Sequence, residues 1–211
     1  MANAERFWNK IARKYSRDAI KDMASYEYTL GRTRSYLKPT DRVLELGAGT
    51  SSTAMLLAGD VAAYTASDFS SEMVAIGQEK LMKTPVAGLD IQVGGVDSFA
   101  MDKFNVVIGL NLFHLVENPE RVFAQIHEML EADGLFISKT VCLADESSFL
   151  KRMMFRVIIG VVTTLRFVPR PIHCFQISSL QEMIETAGFE IIESGNYPIS
   201  PPSRYIVARK I

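Results

Sequence analysis

The chain has 211 residues, of which 48% are hydrophobic and 22% charged, and its formal net charge is −1. This composition is that of an ordinary globular domain, and the length allows one sizeable core rather than two domains. The balanced charge excludes a strong overall attraction to nucleic acid, and the two cysteines exclude a disulfide framework. The first residues lack the apolar run of a secretory signal, so we expect a cytoplasmic protein with reduced cysteines.

The first forty residues predict two helices. Apolar residues recur at helical spacing over 3–17, and a second helix is predicted over 24–37, ending before Pro39. Trp8 and Tyr15 on the first helix have two interpretations, a face packed on the core or a lid over a ligand.

From residue 41 onward, short apolar strands alternate with helices. Strands are predicted at 43–46, 63–67, 90–93, 105–109, 135–140, 189–193 and 204–208, with helices at 52–58, 71–83, 119–131 and 178–187. Apolar strands separated by helices indicate a parallel sheet covered on both faces. No helix separates the last two strands, so they should form an antiparallel hairpin. The predicted fold class is therefore α/β, a single-domain, doubly wound, mostly parallel sheet of seven strands.

The stretch 43–51, VLELGAGTS, is typical of a strand that runs into a glycine turn, followed by a helix that its hydroxyl residues can cap. Asp68 follows the turn by about twenty residues, at the end of the next predicted strand. A nucleotide-type ligand requires this pairing, with the turn at one end and a carboxylate on the ribose hydroxyls.

Five motifs, in this order and spacing, resemble those of the class I S-adenosylmethionine-dependent methyltransferases, particularly their small-molecule branch. They are VLELGAGT at 43–50, ASDFSSEM at 66–73, GGVDSF at 94–99, LFHLVENPE at 112–120 and AGF at 187–189. The resemblance implies a Rossmann-like sheet with a reversed seventh strand, S-adenosylmethionine as cofactor and S-adenosylhomocysteine as product. We accordingly divide the chain into a helical cap (1–40), a cofactor-binding core (41–145), a lid or acceptor-site insertion (146–175), and a C-terminal helix and hairpin (176–211).

The resemblance also implies which residues contact the cofactor. Gly47, Ala48 and Gly49 would form the turn beneath its methionine part, with Glu45 near the ribose or amino-acid end. Asp68 would accept hydrogen bonds from both ribose hydroxyls, since a carboxylate accepts two at once. An alternative role for Asp68 is to cap the following helix.

Further residues would surround the adenine and the reacting methyl group. Phe69 and Met73 would pack around the adenine. Asp97 would accept a hydrogen bond from the adenine amino group, with Ser98 beside it. Asn111, just past the fourth strand, would lie near the sulfonium. Asp97 could instead be an exposed loop carboxylate, and Met73 could be part of the core.

Three positions depart from the family pattern. Ser51 stands where a third glycine is usual, Asn105 where an aspartate usually begins the fourth strand, and 132–134 where Pro-Gly-Gly is common. These departures make the transfer of a substrate by analogy unsafe.

Methyl transfer from a sulfonium is an in-line displacement, which depends on alignment in a dry pocket more than on particular side chains. A general base is needed only if the acceptor must lose a proton. His114, after the fourth strand at the ligand-binding edge of the sheet, is the first candidate, and Tyr15 is the second. No metal is implied.

The stretch 149–168 is apolar, rich in methionine and purely basic in charge. It is too short and too charged to span a bilayer, which requires roughly 20 apolar residues. Residues 1–40 are also basic, with nine lysines and arginines against four acids, whereas 41–146 have six against sixteen. Burial against the sheet is one interpretation of 149–168. The others are a pocket for a hydrophobic acceptor with an anionic group, or contact with a membrane surface.

Three other functions fit less well. A nicotinamide-dependent oxidoreductase would need a glycine where Ser52 stands. A non-catalytic cofactor-binding module fits the same residues, because the reaction leaves no obligatory catalytic side chain. An RNA methyltransferase is disfavoured, since the sequence has no basic appended domain and no Asn/Asp-Pro-Pro-Tyr motif.

Overall fold

The computed structural model describes residues 2–164 and 171–211, and within them seven strands form one sheet. The strands are β1 (Arg42–Leu46), β2 (Ala63–Asp68), β3 (Leu89–Val93), β4 (Phe104–Leu110), β5 (Leu130–Val141), β6 (Phe189–Asn196) and β7 (Ser203–Lys210). Their order across the sheet is β3-β2-β1-β4-β5-β7-β6, and β7 runs antiparallel to both of its neighbours. The predicted seven-stranded, mostly parallel sheet with an antiparallel terminal hairpin is confirmed.

The α-helices of the described residues cover both faces of this sheet. They are α1 (Ala2–Tyr15), α2 (Met23–Tyr36), α3 (Ser52–Leu57), α4 (Ser71–Lys83), α5 (Pro119–Met129), α6 (Phe149–Thr164) and α7 (Ile177–Thr186). Helix α4 has the predicted bounds, and it begins at Ser71 because the Ser70 hydroxyl accepts a backbone N–H of its first turn. Helix α5 also begins as predicted, with Asn118 accepting the N–H of Arg121 and Pro119 in the first turn.

The sheet buries an apolar layer on each face. The layer beneath α5 and α7 is built around ring contacts among four fully or nearly fully buried residues, Phe113, Phe123, Phe136 and Phe189. The opposite layer lies beneath α3 and α4 and includes Val43, Tyr64 and Ile108. Because both faces are covered, the central strands have the nearly continuous apolar sequences that predicted them.

The two N-terminal helices lie on the second of these faces. Ala12 of α1 packs with Met73 and Ile76 of α4. The hydroxyls of Thr33 in α2 and Tyr205 in β7 lie 3.2 Å apart. The helices before β1 are thus packed on the sheet and on α4.

The arrangement of strands places a crevice at one edge of the sheet. Strands β1 and β4 are neighbours, but β2 lies on the far side of β1 and β5 on the far side of β4. In an open α/β sheet, ligands bind outside the carboxyl ends of the strands at such a reversal of strand order. The glycine turn follows β1 and Asn111 follows β4, so both border this crevice.

Two elements differ from the prediction by more than three residues. Strand β5 begins at Leu130 rather than 135, and it passes through Gly134, where an added Cβ would lie 2.9 Å from the Glu131 carbonyl oxygen. The first part of the stretch 149–168 forms helix α6, which was not predicted as a helix. Residues 165–168 of that stretch lie outside the described residues.

Candidate functional site

The turn after β1 contains three residues with left-handed backbone angles. Gly47, Gly49 and Ser51 have φ values of 66°, 55° and 58°, a region that glycine enters freely and most residues avoid. An added Cβ at Gly47 would lie 2.7 Å from Leu112 Cδ1, whereas at Gly49 the nearest atom would be Tyr15 Cε1 at 3.9 Å. Space therefore remains beside Gly49, bordered by the ring of Tyr15.

Asp68, at the end of β2, lies against the same turn. Its Oδ2 accepts a hydrogen bond from the N–H of Gly49 at 2.9 Å, and its Oδ1 accepts one from the N–H of Ser70 at 2.8 Å. Burial raises the pKa of Asp68, and these two hydrogen bonds oppose the shift. The cap of α4 is Ser70, so the interpretation of Asp68 as that cap is wrong. Each carboxylate oxygen retains a lone pair for a ligand hydroxyl.

Glu45 is a buried carboxyl near the end of β1, with 3% of its surface exposed. The Tyr64 hydroxyl donates a hydrogen bond to Glu45 Oε2 at 2.8 Å. Burial raises the pKa of Glu45 to about 7, the charge of Asp68 adds to this shift, and the bond from Tyr64 opposes it. A carboxyl that changes charge near neutral pH thus lies close to the predicted cofactor site.

The hydroxyl residues around Ser51 do not cap α3 as predicted. Lys80 of α4 donates to the hydroxyls of Thr50 and Ser52, each at 2.8 Å. The hydroxyl of Ser51 is buried and has no hydrogen-bond partner within the described residues. Ser51 occupies the N-cap position of α3 with left-handed backbone angles, whereas a capping residue is usually extended, and its side chain makes no cap hydrogen bond.

Helix α1 is fixed on α4 beside the site. Asn9 Oδ1 accepts a hydrogen bond from the hydroxyl of Ser70 at 2.6 Å. Met73 is only 2% exposed and packs with Ala12 and Trp8. The core interpretation of Met73 therefore describes its position, and its predicted contact with adenine remains a prediction.

Tyr15 lies at the end of α1 next to the glycine turn. Its side chain is 51% exposed, and its ring is the group that an added Cβ at Gly49 would approach. Burial and the charge of Asp68 raise the pKa of the Tyr15 phenol. The phenol is therefore protonated at neutral pH, which suits a lid better than a general base. Phe69, next to Asp68, is partly exposed, and its contact with adenine remains a prediction.

The structure gives Asp97 partners that the sequence did not predict. Asp97 Oδ1 accepts hydrogen bonds from Arg121 at 2.9 Å and Gln125 at 2.7 Å, both on α5, and the Asp97 side chain is 61% exposed. Ser98 Oγ accepts from the N–H of Gly95 and so closes the turn after β3. The interpretation of Asp97 as an exposed loop carboxylate agrees with these contacts.

Asn111 and His114 follow β4 at the crevice. Asn111 has a left-handed φ of 56°, and its N–H donates to the Lys139 carbonyl oxygen at 2.7 Å. The Nδ1 of His114 is buried and has no hydrogen-bond partner within the described residues. Burial, with a smaller effect of His173, lowers the pKa of His114 to about 4. His114 is therefore neutral at pH 7 and can accept a proton, although only as a weak base.

Lys139 is a charged residue on a buried strand that was not singled out from the sequence. It is 8% exposed and lies between Leu110 of β4 and Tyr205 of β7. Burial lowers the pKa of Lys139, and the charge of Asp22 opposes this shift. No described carboxylate forms an ion pair with it. A lysine within a strand that is predicted to be covered on both faces was the sequence signal that could have identified it.

A doubly wound sheet with a reversed seventh strand, a glycine turn after β1 and a buried carboxylate after β2 is the arrangement expected of the class I S-adenosylmethionine-dependent methyltransferases. A family model described as a methyltransferase domain matches residues 9–194, and the chain belongs to this family. The family match sets the oxidoreductase alternative aside. A search of curated protein sequences gave no match.

Solved structures with this fold share little sequence with the chain. Magnesium protoporphyrin IX methyltransferase from Synechocystis PCC 6803, solved with bound S-adenosylhomocysteine, is 17% identical over 98% of this chain and 94% of that one, with a TM-score of 0.70. A possible histamine N-methyltransferase from Thermotoga maritima is 18% identical over 98% and 99%, also at 0.70. The [4+2]-cyclase SpnF is 17% identical over 92% and 83%, at 0.71. Such low identities establish the fold and not the reaction.

Proposed function

We propose that the protein transfers a methyl group from S-adenosylmethionine to a small acceptor that is hydrophobic or amphiphilic and carries an anionic group. The main support is the hydrogen bond between Asp68 and Gly49, which holds a buried carboxylate beside the open side of the glycine turn. A carboxylate can accept hydrogen bonds from both ribose hydroxyls, and glycine permits close approach of the methionine part. The residues present therefore fit this cofactor.

When bound, S-adenosylmethionine supplies a methyl group that its positively charged sulfur has already activated. Transfer of that methyl group to the nucleophilic atom of an acceptor would leave the electron pair of the carbon–sulfur bond on sulfur. The protein contributes alignment and exclusion of water. In this proposal Asp68 and the glycine turn fix the cofactor, while Tyr15 covers the turn.

A proton must leave the acceptor only if its nucleophilic atom carries one. The neutral imidazole of His114, whose Nδ1 has no partner in the described residues, is proposed to take that proton. Because the pKa of His114 is about 4, it suits an acceptor atom that becomes acidic as the new bond forms.

The anionic group of the acceptor is proposed to contact Lys139. A buried cation without a close counter-ion is costly, and an anionic ligand would offset that cost. Lys139 pairs with Leu110, the last residue of β4, and so stands at the crevice near Asn111. A cytoplasmic location, predicted from the sequence, belongs to the same proposal.

The test is release of S-adenosylhomocysteine with a panel of amphiphilic carboxylates, each paired with its neutral amide. We expect turnover with a member of the anionic set. Lys139→Gln should raise KM for that carboxylate about tenfold or more, because a hydrogen bond to a charged group contributes about 1.5–3 kcal/mol. The amide should be unaffected. Cofactor binding without turnover on any acceptor would instead support the non-catalytic module.

A further inference from the structure

The first half of α6 presents an apolar stripe to solvent. The exposed fractions of its side chains are 66% for Phe149, 71% for Leu150, 51% for Met153, 48% for Met154 and 60% for Val157. At about 100° per residue these positions share one helix face. Phe155, on the opposite face, is only partly exposed. A contiguous apolar surface of this kind is unusual on a monomer unless it binds something.

Basic residues flank the stripe on both sides. Lys151 lies beyond one border, where its ammonium donates to the Ser200 hydroxyl at 3.1 Å. Arg152 lies beyond the other, with its guanidinium 5.8 Å from the centre of the Phe149 ring. The surrounding sequence 147–170 has five basic residues and no acidic one. Apolar side chains between flanking cations are typical of a helix that lies in the interface of an anionic bilayer.

Other exposed apolar residues lie at the same edge of the sheet. Ile199, between β6 and β7, is 81% exposed, and its loop is at the carboxyl edge because β6 runs in the direction of β5. Ile20 and Met23 are 43% and 48% exposed. They lie beside Asp22, whose charge acts on Lys139 at that edge. The crevice is thus bordered by exposed apolar residues from three segments.

We propose that this edge, defined as the α6 stripe together with Ile199, Ile20 and Met23, docks on the surface of an anionic lipid membrane. Charge complementarity selects this occupant, because a second copy of the chain would bring the same basic residues at the borders of the stripe against each other. No helix among residues 2–164 and 171–211 is long and apolar enough to cross a membrane. Docking at this edge would turn the crevice toward the lipid. The lipid contact does not depend on the proposed methyl transfer.

Vesicle flotation at low salt tests the proposal, with phosphatidylcholine vesicles that either contain or lack phosphatidylglycerol. The wild-type protein should float with the anionic vesicles only. The double variant Leu150→Gln, Met153→Gln should stay at the bottom. Its matched control is Met82→Gln, Met101→Gln, which changes two side chains that are 75% and 95% exposed at the opposite edge of the sheet. The control should float like the wild type.

Charge removal gives a graded result. Lys151→Gln and Arg152→Gln should each weaken partitioning roughly fivefold, in line with the contribution of a basic residue near an anionic surface. Failure of the wild type to float, or flotation of the stripe variant at the wild-type level, would overturn the proposal. So would sedimentation showing that the stripe variant only converts a dimer into a monomer. Flotation without any binding of S-adenosylmethionine would uphold lipid docking while the proposed function fails.

Discussion

Asp68 accepts a hydrogen bond from the backbone N–H of Gly49 at 2.9 Å, and this bond joins the ends of the neighbouring strands β2 and β1. Asp68 also accepts the N–H of Ser70, so both of its oxygens are held in place. A group that is already fixed loses little conformational freedom when a ligand binds. The glycine turn and the carboxylate therefore act as one preformed unit.

Ser51→Gly should stabilise the protein. Ser51 adopts a left-handed φ of 58°, and its buried hydroxyl has no partner within the described residues. Glycine removes the strain of the left-handed angle and the cost of the buried hydroxyl without a partner. These two gains outweigh the extra conformational entropy that glycine has in the unfolded chain. We therefore expect a gain in stability of about 1 kcal/mol and a rise in Tm of about 2–4 °C. The control Ser52→Gly should lower Tm, because the Ser52 hydroxyl accepts from Lys80. An unchanged or lower Tm for Ser51→Gly would show that the strain is absent.

Glu45 should make the stability of the free protein depend on pH. Its pKa is raised from 4.5 to about 7, so the folded state holds a proton that the unfolded state has lost between these values. Stability therefore falls as pH rises through this window, by on the order of 3 kcal/mol. Glu45→Gln should remove this slope in urea unfolding at pH 5 and pH 8. Tyr64→Phe should steepen it, because the hydrogen bond that favours the ionised carboxyl is lost. Equal slopes in all three proteins would contradict the role of Glu45.

Asp97→Ala should leave the affinity for S-adenosylmethionine within about threefold of the wild type. The reason is that Asp97 is bonded to Arg121 and Gln125 on α5 and is largely exposed. Loss of this exposed ion pair should cost no more than about 1 kcal/mol of stability. Arg121→Ala is the matched variant and should have a similar effect on stability. A tenfold loss of affinity in Asp97→Ala alone would place Asp97 at the adenine instead.

The elements with strong local signals were predicted well from the sequence. Helix α5 follows from Asn118 and Pro119, which act through the chain's own backbone. The antiparallel pairing of β6 with β7 follows from the missing helix between the last two strands. The start of α5 and the terminal hairpin are determined by residues close together in the chain, so both can be predicted from the sequence.

The features that were missed depend on residues far apart in sequence. The bond between Asn9 and Ser70 and the contact of Asp97 with Arg121 are set by how helices pack. The burial of Lys139 depends on the two strands on either side of it. Helix α6 was missed because its apolar face is exposed, so its pattern resembled a pocket lining rather than a surface helix.

The most direct test of the cofactor site is titration calorimetry with S-adenosylmethionine and S-adenosylhomocysteine on the wild type and on Asp68→Ala. We predict binding by the wild type and a loss of about tenfold or more in Asp68→Ala, because a hydrogen bond to a charged group contributes about 1.5–3 kcal/mol. Melting curves would establish that the variant is folded at the titration temperature. Absence of binding by the wild type, or equal affinity in the folded variant, would contradict the assignment of Asp68 and the glycine turn as the cofactor site.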